Sequence, residues 1–100
     1  MSAAYEAGNG QFIPAYMMPG LLRYIEQGIL PGSFLQAVLR NDFREAVTHA
    51  DDLNLLNLRA YSVYLYNEAP GVCYGSPEKV AAWVAKKAGE REAVAAGSAS

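Results

Sequence analysis

The chain has 100 residues, a formal net charge of −2, an apolar fraction of 52% and a charged fraction of 18%. This length suits a single domain, and the composition is that of a folded globular chain rather than a disordered one. With so few charged residues, part of the surface must be apolar or uncharged polar, which favours self-association or a protein partner. The acidic balance and the scattered lysines and arginines make nucleic-acid binding a poor expectation.

Cys73 is the only cysteine, so an internal disulfide is excluded and a reducing compartment is favoured. No apolar run approaches the ~18 residues that cross a bilayer. The first stretch, MSAAYEAGNGQFIPAYMM, lacks the basic start and apolar core of a secretory signal. We therefore expect a cytoplasmic protein with no membrane association.

The first 13 residues show no apolar period, which predicts a flexible N-terminal arm and minimal β structure. A helical pattern begins at Pro19, and Gly28 is placed to end that helix. Two short helices are predicted next, over 31–40 and 42–50, and Phe43 falls on the apolar stripe of the second. Asp42 and Glu45 have the spacing of a capping box. The connection is too short for a DNA-binding helix-turn-helix.

The segment LNLLNLRAYSVYLYNEA is apolar on nearly every face, which predicts one buried central helix that ends before Pro70. Tyr61, Tyr64 and Tyr66 cannot all face the same way on it. We expect two of them in the core, with hydroxyls bonded to asparagines, which leaves Tyr66 or Tyr74 to contact a partner.

The last helix is predicted to begin at the Ser76–Pro77–Glu78 segment, which combines an N-cap side chain, a proline at N1 and an acid in the first turn. The fold class is therefore all-α: a single-domain orthogonal bundle of about five short helices. We expect a flexible arm over 1–13, the helical domain over 14–88 and an Ala-rich tail over 89–100.

Catalytic chemistry is not indicated. His49 is the only histidine, Cys73 has no base near it in sequence, and no glycine-rich phosphate loop is present. Lys79 follows a helix start that could attract an anion, but Glu78 already occupies the positive end of that helix. We expect neither an enzyme, a metal site nor a cofactor.

Two segments, YIEQGILPGSFLQAVLRND and YLYNEAPGVCYGSPEKVAAW, carry a resemblance that covers residues 19–85. The chain resembles a group of small, mostly uncharacterised helical proteins encoded by tailed phages and prophages. The resemblance implies a phage accessory protein that blunts host defences or redirects host machinery, and it carries over no catalytic residue. Tyr74 stands where relatives are expected to have tryptophan.

The leading hypothesis is a non-enzymatic inhibitor that binds a host protein or protein complex, such as a defence complex. If that complex binds nucleic acid, acidic side chains could imitate phosphates: Glu26, Asp42, Glu45, Asp51 and Asp52. The alternatives are a homo-oligomer that sequesters a small anionic ligand, such as a nucleotide signal, between protomers, and a small DNA-binding regulator. The candidate binding residues are Asn67, Glu68, Tyr74, Lys79, Arg40, Asp42 and Arg44.

Overall fold

The computed structural model describes the backbone of residues 3–99 and the side chains of residues 3–95. Over that range the protein is mostly helical, as predicted, with one small antiparallel sheet. The strands are β1 (Tyr5–Gly8) and β2 (Gln11–Ile13). The helices are α1 (Met18–Gln27), α2 (Ser33–Leu39), α3 (Phe43–His49), α4 (Asp52–Leu56), α5 (Leu58–Glu68) and α6 (Pro77–Ala99). Short 3-10 turns occupy Ala15–Met17 and Gly71–Cys73.

The β-hairpin corrects the prediction of an arm without regular structure. Asn9 and Gly10 form its turn with φ of 55° and 78°, both left-handed, as in the two-residue turns that match strand twist. Tyr5 pairs with Ile13 across the sheet. The Tyr5 ring packs edge-on against Tyr64 of α5, with 4.9 Å between ring centroids, and Ile13 is fully buried. The first 13 residues thus contribute to the core.

The predicted central helix is two helices, α4 and α5, which break at Asn57. The Asn57 side chain accepts the backbone N–H of Phe12 in β2 at 2.9 Å and donates to the carbonyl of Leu53 at 2.9 Å. Its backbone adopts φ −117° and ψ 24°, which is not helical. The break therefore arises because Asn57 anchors the hairpin, and it raises the number of helices from the predicted five to six in the described chain.

The core is built around contacts of α1 with α6 and of α5 with both strands. Tyr24 of α1 is fully buried, and its hydroxyl donates to the carbonyl of Cys73 at 2.6 Å. The Trp83 indole of α6 donates to the Tyr24 carbonyl at 3.1 Å. These two bonds fix α1, the loop before α6 and α6 itself as one unit.

The prediction of one buried central helix is wrong, because part of the surface of α4 and α5 is exposed. Tyr61 and Tyr64 of α5 are buried, as expected for two of the three tyrosines, and the Tyr61 hydroxyl donates to Asn54 at 2.6 Å. Tyr66 is 83% exposed and Leu56 of α4 is 73% exposed. One face of these helices therefore meets solvent.

Local capping signals are confirmed at the last helix, where the Lys79 backbone N–H donates to the Ser76 hydroxyl at 3.1 Å. The helix then runs through the predicted tail as far as Ala99. None of the helices described over residues 3–99 is both long and apolar enough to cross a bilayer.

Candidate protein-binding groove

An apolar groove of about 410 Å³ opens between the α2–α3 pair and α5. One wall comes from α2 and α3, the other from α5, and the loop before α6 closes one end. Its lining residues are Ala37, Val38, Asn41, Asp42, Phe43, Ala46, Leu58, Tyr61, Ser62, Leu65, Tyr66, Tyr74 and Gly75.

The turn between α2 and α3 places Asp42 and Phe43 at the groove. Asn41 is left-handed, with φ of 63°, and its N–H donates to the carbonyl of Val38 at 3.1 Å. The Asp42 N–H donates to the Ala37 carbonyl at 2.9 Å, which completes a Schellman ending of α2. Asp42 then caps α3 by accepting the N–H of Glu45 at 3.2 Å. Because α3 starts at once, its first side chain, Phe43, projects from the body.

The loop before α6 is attached to the same wall. The Gly75 N–H donates to the Leu39 carbonyl at the end of α2, at 2.7 Å. Gly75 adopts φ of 117°, which side-chain-bearing residues rarely tolerate. Tyr74 therefore lies at the groove, half-buried, because its neighbour is fixed to α2.

The floor of the groove is apolar, and the hydroxyl of Tyr61 at this floor already has a hydrogen-bond partner within the chain. Tyr61 packs edge-on against Phe34 with 5.2 Å between ring centroids, and its hydroxyl is bonded to Asn54. Burial is the main reason why the pKa of Tyr61 is raised, and the nearby Tyr16 and Asp51 raise it further. The phenol therefore stays neutral. Asp42 is the one charged residue in the lining. The groove is thus suited to apolar and aromatic groups rather than to a highly charged ligand.

Two aromatic side chains stand exposed at its rim. Phe43 is 74% exposed and Tyr66 is 83% exposed, and they belong to opposite walls. Large aromatics beside an apolar depression are typical of protein-interaction sites, where aromatic residues dominate the binding energy.

The predicted binding residues fall into separate places. Asp42 and Tyr74 both line the groove. Arg40 lines a smaller polar cleft of about 200 Å³ between α2 and α3, together with Asp42, Glu45 and His49. Asp42 therefore contributes to both cavities.

The other predicted residues lie outside these two cavities. Arg44 is exposed on α3. Asn67 and Glu68 are exposed at the end of α5, where Glu68 accepts a long hydrogen bond of 3.5 Å from the Tyr5 hydroxyl. The Lys79 ammonium donates to the Gly71 carbonyl at 3.4 Å and so holds the loop. The cationic candidates Arg40, Arg44 and Lys79, which a small anionic ligand would need, are thus not gathered with Tyr74 in either cavity.

The reactive side chains flagged in the sequence have structural surroundings. Cys73 is fully buried, and burial raises the pKa of its thiol, which disfavours the nucleophilic thiolate. His49 lies 3.1 Å from the carboxylate of Glu45 on the same helix. Over residues 3–95, no three side chains of metal-binding type come together. Among the acids considered as phosphate mimics, Asp42 and Glu45 share the small cleft, whereas Glu26 lies beside α6.

Phe43 is the groove residue that sequence reasoning misplaced, because its position on the apolar stripe predicts burial. No local signal in the sequence marks this exposure, because it depends on how α3 is set against α5. Tyr66 was identified as a residue that could contact a partner, and its exposure agrees with that role.

No family model matches the chain, and neither a curated protein nor a solved structure shows significant similarity to it.

Proposed function

We propose that this chain is a phage-encoded accessory protein that binds and inhibits a host protein, and that the host protein docks in the apolar groove. The observation that carries the proposal is the pairing of Phe43 and Tyr66, both largely exposed, across a groove with an apolar floor. Exposing aromatic area costs solvation free energy that a partner would recover. The low charged fraction of 18% is in keeping with this reading.

The partner surface that fits is an apolar segment with at least one aromatic or branched side chain. Such a side chain would enter between the two walls, where Asp42 supplies one acidic contact at the rim. Inhibition would follow from steric exclusion, because a bound chain covers whatever surface the host protein uses for its own partner.

The experiment compares capture of host proteins by immobilised wild-type protein with capture by groove variants. Phe43→Asp and Tyr66→Asp place a charge in the contact and leave the core intact, since both side chains are exposed. Leu56→Asp is the matched control, because Leu56 is equally exposed and does not line the groove. The captured host protein is then purified and its affinity for each variant is measured by titration calorimetry.

We expect wild type and Leu56→Asp to retain the same host protein, and each groove variant to bind it at least ~30-fold more weakly, as for a central aromatic contact. Loss of the activity of the purified host protein on adding wild type would establish inhibition. The proposal fails if nothing is retained across a range of salt concentrations, or if the groove variants bind as wild type does.

A further inference from the structure

The turn of the β-hairpin contains a chemically reactive pair, Asn9 and Gly10. The chain has five asparagines, and Asn9 is the one that a glycine follows. An asparagine side chain loses ammonia when the backbone nitrogen of the next residue attacks its Cγ, and a glycine there hinders the attack least. Asn9 and Gly10 are both exposed, and a Cβ built on Gly10 would meet nothing within 4 Å. Water and base therefore reach both residues.

The closed turn holds the two reacting atoms apart. Asn9 is left-handed, with φ of 55°. In that conformation ψ is about +47°, which places the Gly10 nitrogen nearly anti to the Cβ of Asn9 across the Cα–C bond. Ring closure requires these two atoms to be eclipsed, because only then does Cγ reach the nitrogen. The Cα–C bond of Asn9 must therefore rotate by nearly a half turn, and this rotation opens the hairpin.

Contacts of both strands with the helical body resist this opening. Phe12 of β2 donates its N–H to Asn57 at 2.9 Å, and the Tyr5 ring of β1 packs edge-on against Tyr64. The strands have only four and three residues, and a two-stranded hairpin is at best marginally stable by itself. The two anchors, Asn57 and Tyr5, therefore decide how often the turn opens.

We propose that Asn9 is a site of spontaneous covalent modification whose rate is set by opening of the hairpin. In the open turn, the Gly10 nitrogen gives its proton to base and forms a bond to Cγ of Asn9. The bond from Cγ to the side-chain nitrogen breaks, and ammonia leaves. Water then opens the resulting cyclic imide: cleavage between the ring nitrogen and Cγ gives aspartate, and cleavage between the ring nitrogen and the main-chain carbonyl carbon gives isoaspartate.

The two products differ in their effect on the hairpin. Each adds one negative charge to the formal net charge of −2. Aspartate keeps the normal backbone, and Asp-Gly suits the same left-handed turn as Asn-Gly. Isoaspartate carries an additional methylene in the main chain, so the two-residue turn cannot close with the same strand register. Its formation makes the opening of the hairpin permanent.

Peptide mass spectrometry of the purified full chain, incubated in mildly alkaline buffer, is the test. We expect Asn9 to be converted to the two acids, and at least ~10-fold faster in urea than in the folded protein. Asn57→Ala and Tyr5→Ala each remove one anchor and should speed conversion of the folded protein about 5–10-fold. Asn67→Ala, the control, replaces an exposed asparagine outside the hairpin and should convert as wild type does. Asn9→Gly keeps a sequence suited to the turn and should form no acidic species.

Circular dichroism checks that each variant is folded, and anchors on two different strands keep the comparison possible if one variant unfolds. Ion exchange separates the acidic products. The Phe12 amide should lose its protection from hydrogen exchange in the isoaspartate form and keep it in Asn9→Asp. The proposal is overturned if the folded protein converts as fast as in urea, or if both anchor variants convert no faster than Asn67→Ala. An isoaspartate form that still protects Phe12 refutes the permanent opening. None of these measurements requires a host protein.

Discussion

Replacing Asn57 with alanine should release the β-hairpin from the helical body. The side chain is 4% exposed and makes two hydrogen bonds of 2.9 Å, one from the Phe12 N–H and one to the Leu53 carbonyl. Each bond contributes about 1 kcal/mol, and an unpaired N–H at Phe12 adds about 1 kcal/mol more to the loss. The free energy of unfolding should therefore fall by about 2–3 kcal/mol.

Urea denaturation measures this loss of unfolding free energy. In thermal unfolding, the same loss should lower Tm by roughly 10–20 °C for a chain of this size. Hydrogen exchange provides the local readout, because the Phe12 amide should lose its protection while amides of α1 and α6 keep theirs. Asn67→Ala is the matched control: Asn67 is an exposed asparagine on the following helix, and its loss should change stability by less than ~0.5 kcal/mol.

The reasoning is refuted if Asn57→Ala unfolds within ~0.5 kcal/mol of wild type and the Phe12 amide stays protected. That outcome would mean that the hairpin is held by its other contacts, those of Tyr5 and Ile13 and the hydrogen bond from Gln11 to the Leu56 carbonyl. The break between α4 and α5 would then have another cause.

Three other changes test separate parts of the fold by the same unfolding assay. Asn41→Ala should cost about 1 kcal/mol because of its φ of 63°, whereas Asn41→Gly should be close to neutral; equal stabilities would contradict the Schellman ending. Gly28→Ala should cost about 2–4 kcal/mol, because φ is 70° and the new Cβ would overlap the Cβ of Lys87. Its control, Gly89→Ala, lies in open helix and should stabilise by about 0.5–1 kcal/mol. Burial raises the pKa of Tyr61, so the buried neutral phenol contributes its full stability below pH ~10. Above that pH the free energy of unfolding should fall by up to ~1.4 kcal/mol per pH unit, and Tyr61→Phe should lack this contribution to the fall.

The sequence predicts those parts of the fold that depend on neighbouring residues. Gly28 ends α1 in the left-handed conformation, Asp42 caps α3 and Ser76 caps α6, each as the local pattern indicates. The break at Asn57 could not be predicted in this way, because its cause is a hydrogen bond to Phe12, which is 45 residues away in the chain.

The hairpin is an intermediate case, since its Asn9–Gly10 turn is visible in the sequence. The flanking strands have only four and three residues, and a register irregularity between Glu6 and Gly8 disrupts their alternation. For the candidate site, Asp42 and Tyr74 are predicted and lie at the groove. The exposure of Phe43 could not be predicted, because it depends on how α3 is set against α5.

Exposed apolar residues are common on folded proteins, so exposure alone does not distinguish Phe43 and Tyr66 from Leu56. The buried positions of α5, such as Tyr61 and Leu65, already pack against the core, and Tyr66 lies outside that stripe. The fold therefore does not require an aromatic side chain at this position. Leu56 is as exposed as Phe43 but does not line the groove. Phe43 and Tyr66 combine high exposure with a place in the groove, and comparing substitutions there with Leu56→Asp separates a binding surface from an exposed leucine.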